Sequence, residues 1–540
     1  MPEQHPPQPT ATAAAPTRLD RVLNGIERAG NKLPEPFILF VLLTLVVAMV
    51  STAMAAAGVS VTVPGEDEPT AIRGAFTGEG LRFLFTGLAA NFIGFPPLQT
   101  VVTIMLGVGL AERTGMLAAL IRLAFGNARR SVLPYALGFV GVSGSVMADS
   151  AFIIIPPLAA IVFRAAGRHP VAGLIGGFAA AGAGYSTSLL VTSLDALFAG
   201  ITTSVAQTLP DAGTAVTPVS NYLFNAVSAV ALSLLAGFII DKVVEPGLVR
   251  AGFPDQEVDR DDEPAPSGDS GDSGDEPHTA VRAELTDAER RGLRWAGAAF
   301  VALLAAVLVL VLVPGSPLRN DTGGYLPESP LLDSVTTLVF LAFFVPALAH
   351  GIAAGVIRRS ADVPLLMGRA LADLAGFIVL AFILGQFIAL FSWTNLGAWM
   401  AVTGAQFLQG IGLTGYPAIL GFVVLASLLN LFIVSGSSLW TLMASVFVPL
   451  FLLLGYEPGF IQAAFRVGDS ATQIMTPLNP YMIVLLTFVR RYQPSAGLGT
   501  VIAKMVPFVV PFWICWALIL TVFFAFDLPL GPGQGIHLAP

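Results

Sequence analysis

Between Arg369 and Arg490 the sequence holds a single cationic side chain, Arg466, set in long apolar runs. That pattern constrains the fold more than any other feature. Runs of this length and composition are membrane spans. A lone guanidinium at membrane depth costs several kcal/mol unless it is paired or faces water. Around it, Asn430–Tyr481 breaks the rules for a plain span: Ser435-Gly436-Ser437 interrupts an apolar run, and Asp469 follows Arg466 by three residues. Unwound backbone at that depth is tolerated only where it lines a cavity. Discontinuous helices carrying such residues build the midplane sites of secondary transporters. The plainer alternative is a structural Arg466–Asp469 ion pair in a bent helix.

Composition agrees with a membrane class. Hydrophobic residues make up 55% of the chain and charged residues 11%, against about a quarter in soluble domains. The net charge of −8 is local in origin. Residues 255–289 hold 13 acids and 2 arginines, a net of −11, so the remainder is near +3. The single cysteine, Cys515, permits no internal disulfide. Nothing in the charge pattern suggests nucleic acid; the expected partners are the lipid bilayer and a small organic anion, with no cofactor beyond a coupling ion.

Residues 1–35 read as a cytoplasmic tail, its first 17 residues Pro/Ala/Thr-rich. Arg18, Arg21, Arg28 and Lys32 precede the first apolar run, from near Pro36 to Gly58, which places the N-terminus inside. The region 97–125, with Gly107, Gly109, Glu112 and Arg113, is not expected to be one simple helix. Residues 132–163 have arginines at both ends and Ser143-Gly144-Ser145 followed by Asp149 in the middle. Both ends therefore lie on one side, and the arms are too short for two spans, so a re-entrant hairpin is expected. The next span runs from Pro170 through the small, hydroxyl-rich patch 182–188, which ends at Ser188. Asp195 follows, either as a site residue or as a solvated acid near the outer face. A return span at 218–241 completes the first half, 36–250.

Residues 251–290 read as an acidic, solvated linker. The second half, 291–540, is expected to cross at 293–314, 333–356 and 366–391. A second hairpin at about 416–458, the Arg466 segment and a last span near 501–526 complete it. The halves repeat in order. Ser143-Gly144-Ser145 answers Ser435-Gly436-Ser437, and Pro156 answers Pro449. Gly167-Arg168-His169-Pro170 answers Gly455-Tyr456-Glu457-Pro458, and the patch 182–188 answers 468–472. The crossing count opens the two hairpins to opposite faces. The expected fold is an all-α polytopic membrane protein of nine transmembrane helices plus two re-entrant hairpins in an inverted repeat, N-terminus cytoplasmic and C-terminus outside, in the cell (inner or plasma) membrane.

The sequence resembles the AbgT family of p-aminobenzoyl-glutamate transporters of the ion-transporter superfamily. The resemblance runs from Gly30-Asn31-Lys32-Leu33-Pro34 to Leu528-Pro529-Leu530-Gly531-Pro532-Gly533. It is densest at Asn430-Leu431-Phe432-Ile433, Trp440, Phe447-Val448-Pro449, Gly455-Tyr456, Arg466-Val467-Gly468-Asp469-Ser470 and Thr476-Pro477-Leu478. Departures fall at Ser188 and Gln473, where the family usually has Asn, and at Leu439, where it usually has Lys. The resemblance implies a homodimer and cation-coupled movement of folate-precursor fragments or sulfonamide antimetabolites. By position it implicates Asp195, Asn430, Ser437, Trp440, Pro458, Arg466, Asp469 and Pro477.

The chemistry suits such a cargo. Arg466 can fork onto a carboxylate, and Trp440 can stack on an aryl ring. Ser188, Ser437, Asp195, Pro458 and Pro477 complete the expected substrate set. Asn430, Asp469, Ser145 and Asp149 form the expected ion-coupling set. Asn430 and Asp469 are candidate Na⁺ ligands, and Asp469 is an alternative proton carrier. Two other readings are a dicarboxylate carrier of the same architecture, which would not need Trp440, and an intramembrane aspartyl protease using Asp149 and Asp469. The protease motif is poorly matched, because Arg466 replaces the first glycine of Gly-x-Gly-Asp and Ala148 precedes Asp149.

Overall fold

The computed structural model describes residues 34, 36–62, 68–126, 129–147, 150–210, 212–256, 285–320, 323–325, 329–412, 415–476 and 478–538. Asp149, Pro477 and most of the acidic linker lie outside them.

The helices, in order, are α1 (Pro36–Ala56), α2 (Gly78–Ile93), α3 (Pro96–Arg113), α4 (Met116–Gly126), α5 (Leu133–Ser143), α6 (Ser150–Ala165), α7 (Pro170–Ala183), α8 (Ser193–Ala206), α9 (Tyr222–Ile239) and α10 (Glu245–Arg250). The second half contributes α11 (Asp287–Leu312), α12 (Pro330–Asp333), α13 (Val335–Ala354), α14 (Asp362–Asp373), α15 (Ala375–Trp393), α16 (Leu396–Gly410), α17 (Tyr416–Asn430), α18 (Gly436–Leu453), α19 (Pro458–Gln473), α20 (Pro480–Arg490) and α21 (Leu498–Ala525). Two short antiparallel strands, Ser60–Val61 and Thr70–Ala71, close the loop after α1.

Prolines set many of the starts. Pro96, Pro170, Pro458 and Pro480 occupy first helical positions, where their missing N–H costs nothing and their fixed φ is helical. Gly107 and Gly109 do not break α3. A Cβ on Gly107 would meet the Phe340 carbonyl at 2.7 Å, and one on Gly109 would meet Ala370 Cβ at 2.2 Å. They permit close helix approach; the breaks fall at Gly94-Phe95 and Thr114-Gly115 instead.

Among the described residues, eight helical stretches are long and apolar enough to cross a membrane. One of them, α18, is an arm of the second hairpin. Its first residue, Gly436, lies beside Asp469 and Tyr185 deep in the protein, so it starts at mid-depth. The other seven have the length and composition of full spans. Two further spans are discontinuous: α7 and α8, joined by residues 184–192, and α19 and α20, joined by 474–479. Seven and two make the nine expected. The hairpins are α5/α6, turning through a short 3-10 segment at Gly144–Met147, and α17/α18, turning at 431–435. At 1.5 Å per residue the 11-residue α5 reaches only about 16 Å, roughly half the ~30 Å hydrocarbon core.

The repeat is visible in contacts. Ser145 Oγ, in the first hairpin tip, donates to the Thr187 carbonyl in the first break (3.4 Å). In the second half, Thr476 Oγ1 in the break donates to the Leu431 carbonyl in the hairpin tip (2.8 Å). Gly141 of α5 sits against Ala180 of α7, as Gly468 of α19 sits against Ala426 of α17. Both Gly-x-x-Pro turns begin with a left-handed glycine, Gly167 (φ 66°) and Gly455 (φ 89°). One correspondence is corrected: 468–472 is helical, and the second break comes later, at 474–479. Gly468 stays helical because its bare Cα is what lets α17 approach. Asn479 caps α20 by accepting the Tyr481 N–H (3.0 Å), which places the restart.

Candidate functional site

The site lies where the two discontinuous spans meet the second hairpin. α19 is buried along its whole length, yet it carries Gln462, Arg466, Asp469 and Gln473. That spacing of four, three and four residues puts all of them on one helix face. The facing element is α8, with Asp195, Phe198 and Thr202 on one face.

Arg466 is 1% exposed. Its Nη1 donates to Asp195 Oδ1 (2.8 Å) and to the Ser186 carbonyl (2.7 Å). Its guanidinium carbon lies 5.2 Å from the Phe198 ring centroid, within cation–π range. The expected alternative of an Arg466–Asp469 pair is therefore corrected: among the described residues the ion-pair partner of Arg466 is Asp195. Spacing within α19 could not reveal this, because the partner arrives from the other half of the chain. The alternative of a solvated Asp195 is corrected as well. Its carboxylate is 4% exposed. Oδ2 accepts from the Thr192 N–H and hydroxyl, both at 2.8 Å, in a capping box that starts α8. Oδ1 also accepts from Asn225 Nδ2 (3.1 Å).

Asp469 is fully buried. Oδ2 accepts from Ser186 Oγ (3.0 Å), and Oδ1 has no protein hydrogen-bond partner. Asn430, the last residue of α17, donates from Nδ2 to the Asp469 carbonyl and to Thr472 Oγ1, while its Oδ1 also lacks a partner. Ser435 caps α18, and Ser437 Oγ lies 3.1 Å from Ser435 Oγ. Ser188 Oγ accepts the Leu190 N–H (3.1 Å) within the first break.

Trp440 is not presented to an open cavity. It is fully buried, packed on Phe465 with ring centroids 4.5 Å apart. Its Nε1–H donates to Thr202 Oγ1 (3.0 Å) and the Phe198 carbonyl (3.3 Å). Pro458 starts α19 at the Gly455 turn, about 12 Å along the helix from Arg466 at 1.5 Å per residue. Ser145 is held by the Val142 and Thr187 carbonyls rather than by Asn430 or Asp469.

Ser186 falls in the hydroxyl-rich patch 182–188; the residues missed from sequence are Thr192, Thr202, Asn221, Asn225 and Gln462. The regular polar stripe on α19 was the available signal for Gln462. Nothing local marks the others, which come from α8, α9 and the first break.

The family model described as "AbgT putative transporter family" matches residues 21–538. The chain belongs to the AbgT family. It is similar to the p-aminobenzoyl-glutamate transport protein of Escherichia coli (strain K12), with 36% identity over 509 residues, 94% of this chain and 95% of that one. Two solved AbgT-like structures overlay on nearly the whole fold. The Alcanivorax borkumensis YdaH transporter, described as having an unusual topology, gives a TM-score of 0.82 at 36% identity and covers 92% of this chain and 100% of its own. Neisseria gonorrhoeae MtrF, placed in a class of antimetabolite efflux pumps, gives 0.84 at 33% identity over 96% of this chain and 100% of its own. This AbgT protein is thus a multi-pass membrane transporter and not an enzyme, which removes the aspartyl protease reading.

Proposed function

We propose that this protein moves p-aminobenzoyl-glutamate, or a related aromatic or sulfonamide antimetabolite, by alternating access coupled to a Na⁺ or H⁺ gradient. One observation carries the reading. Arg466 is buried where both discontinuous spans and the second hairpin converge, and its Nε–H has no protein partner. A guanidinium has five N–H donors, and buried polar groups are normally satisfied. An unused donor on a buried cation suits a substrate carboxylate. The same logic supports coupling: Asn430 Oδ1 and Asp469 Oδ1 are buried, unpartnered oxygens of the hard type that suits Na⁺ or, at Asp469, a proton. The relatives' names supply the substrate class. We further propose a homodimer, with the N-terminus cytoplasmic and the C-terminus outside.

Purified protein in proteoliposomes should move p-aminobenzoyl-glutamate when a Na⁺ or pH gradient is imposed, and much less when both are collapsed. Absence of flux under every gradient would refute the reading. The burial of Trp440 favours a second reading, a carrier of short aliphatic dicarboxylates. Strong competition by such a dicarboxylate, with none from p-aminobenzoate, would select it.

A further inference from the structure

Gln462 is one helical turn before Arg466 and 1% exposed. With its amide oriented to satisfy every neighbour, Oε1 accepts from Arg466 Nη2 (2.9 Å) and Asn221 Nδ2 (3.2 Å). Nε2 donates to Thr202 Oγ1 (2.7 Å) and to the Phe198 carbonyl (3.1 Å). Both lone-pair directions and both amide hydrogens are then used. Thr202 is the same hydroxyl that accepts the Trp440 indole N–H, and it donates to the Phe198 carbonyl (2.7 Å). A continuous bridge therefore runs Trp440–Thr202–Gln462–Arg466 and joins the second hairpin, α8 and α19.

We infer that Gln462 is a positioning residue that sets the affinity of the site for carboxylates, through its hold on Arg466 and its link through Thr202 to Trp440. The inference rests on the reading of Arg466 as the carboxylate receptor. Asp195 and the Ser186 carbonyl restrain only Nη1. A planar fork held at one nitrogen can rock about that contact. Gln462 holds Nη2, and Phe198 lies against the guanidinium, so the plane is defined before a ligand arrives. Two of the five donors, Nε–H and the second Nη2–H, then remain for a ligand. A preorganised receptor loses less entropy on binding.

The residue type matters as much as its place. Asp195 already pairs a carboxylate with this guanidinium. A glutamate at 462 would bridge the same atoms but add a second, and it would compete with an anionic substrate. The neutral amide orients the cation without offsetting its charge. An asparagine would be one methylene too short to span from α19 to both Arg466 and Thr202.

The test is proteoliposome flux of p-aminobenzoyl-glutamate by the full-length protein, read as separate KM and maximal rate, with thermal stability recorded for each variant. Should wild type prefer another organic anion, that anion is the probe. In Gln462→Leu the KM should rise roughly tenfold with the maximal rate within about twofold, the size expected for loss of a hydrogen bond to a charged group. Thr202→Val, which removes only the hydroxyl that joins Gln462 to Trp440, should shift KM in the same direction by less. Gln462→Glu should lose anion flux while keeping its fold. An unchanged KM in folded Gln462→Leu, or a fall in maximal rate at constant KM, overturns the inference and leaves the proposed function standing. If Gln462→Leu does not fold, an unchanged KM in Thr202→Val overturns it. If wild type carries no organic anion, the carboxylate-receptor reading fails, and the inference with it.

Discussion

Neutralising Asp195 is the perturbation whose outcome the structure specifies best. Asp195→Asn removes the charge opposite Arg466 at a distance of 2.8 Å, with the side chains 5% and 1% exposed. An exposed pair of the same geometry would contribute about 0–1 kcal/mol. Breaking a buried pair from one side costs about 3–5 kcal/mol, because a charge is left without its partner. Here the higher end is expected. The new amide nitrogen must face either Arg466 and Asn225 or the Thr192 donors, so at least one buried donor meets another donor. Arg466→Gln should cost a similar amount by stranding Asp195. The double variant Asp195→Asn/Arg466→Gln should regain most of the loss, giving a coupling energy of at least about 2 kcal/mol. The assay is unfolding of the purified protein in mixed micelles for all four members of the cycle, with proteoliposome flux measured in parallel. Stability should recover in the double variant and flux should not, because no guanidinium remains to take a carboxylate. Single variants that lose less than about 1 kcal/mol would show the pair to be solvated. Recovered flux in the double variant would show that Arg466 serves structure alone.

Asp469→Asn removes a charged oxygen and any titratable proton, so the remaining flux should lose its dependence on the imposed cation gradient; gradient-driven flux in this variant would remove Asp469 from coupling. Gly184→Ala places a Cβ 2.1 Å from the Val142 carbonyl and should destabilise by about 1–3 kcal/mol through forced separation of the first break from its hairpin, as read by the same unfolding assay. Cysteines placed at Gly167 and at Gly455, in a background lacking Cys515, should react with impermeant reagent from opposite sides of oriented vesicles, whereas labelling from one side would contradict the inverted repeat. Asp362 accepts the Arg358 and Arg359 N–H groups, both at 2.8 Å, and these hold its carboxyl below the ordinary 3.8. A depressed folded-state value stabilises the turn above the ordinary range and is lost as pH falls through the lower value. Hydrogen exchange at 355–365 should therefore quicken only at acid pH, and Asp362→Asn should show the acid behaviour at neutral pH.

Much of the architecture was legible because each feature has a local cause. Arginines on both sides of 132–163 allow only a return to the same face. Prolines at 170 and 458 place helix starts, and Gly167 and Gly455 place the turns. Asn430, Arg466 and Asp469 stood out because polar groups in an apolar setting carry an energetic cost that needs a reason. The patch 468–472 does not coincide with the second break, because glycine reads equally as a breaker and as a contact point. Gly468 is the second kind, with Ala426 and the Val423 carbonyl where its side chain would be.

The sequence alone determined that this chain inserts in a membrane, that it is built twice over, and that its chemistry gathers around one cation. Those are properties of hydropathy, spacing and charge count, each expressed within a segment. Who partners that cation was decided only by the tertiary structure. Asp195 lies 271 residues before Arg466, and reaches it because the first discontinuous span stops at Ala183, restarts at Ser193 and turns its capping carboxylate toward α19. The adjacent Asp469 faces Ser186 instead. Trp440 likewise read as a side chain able to stack on an aryl ring, until α8 brought Thr202 to its indole and α19 brought Phe465 to its face. Pairings across an inverted repeat depend on how two halves dock, and no periodicity within either half encodes that.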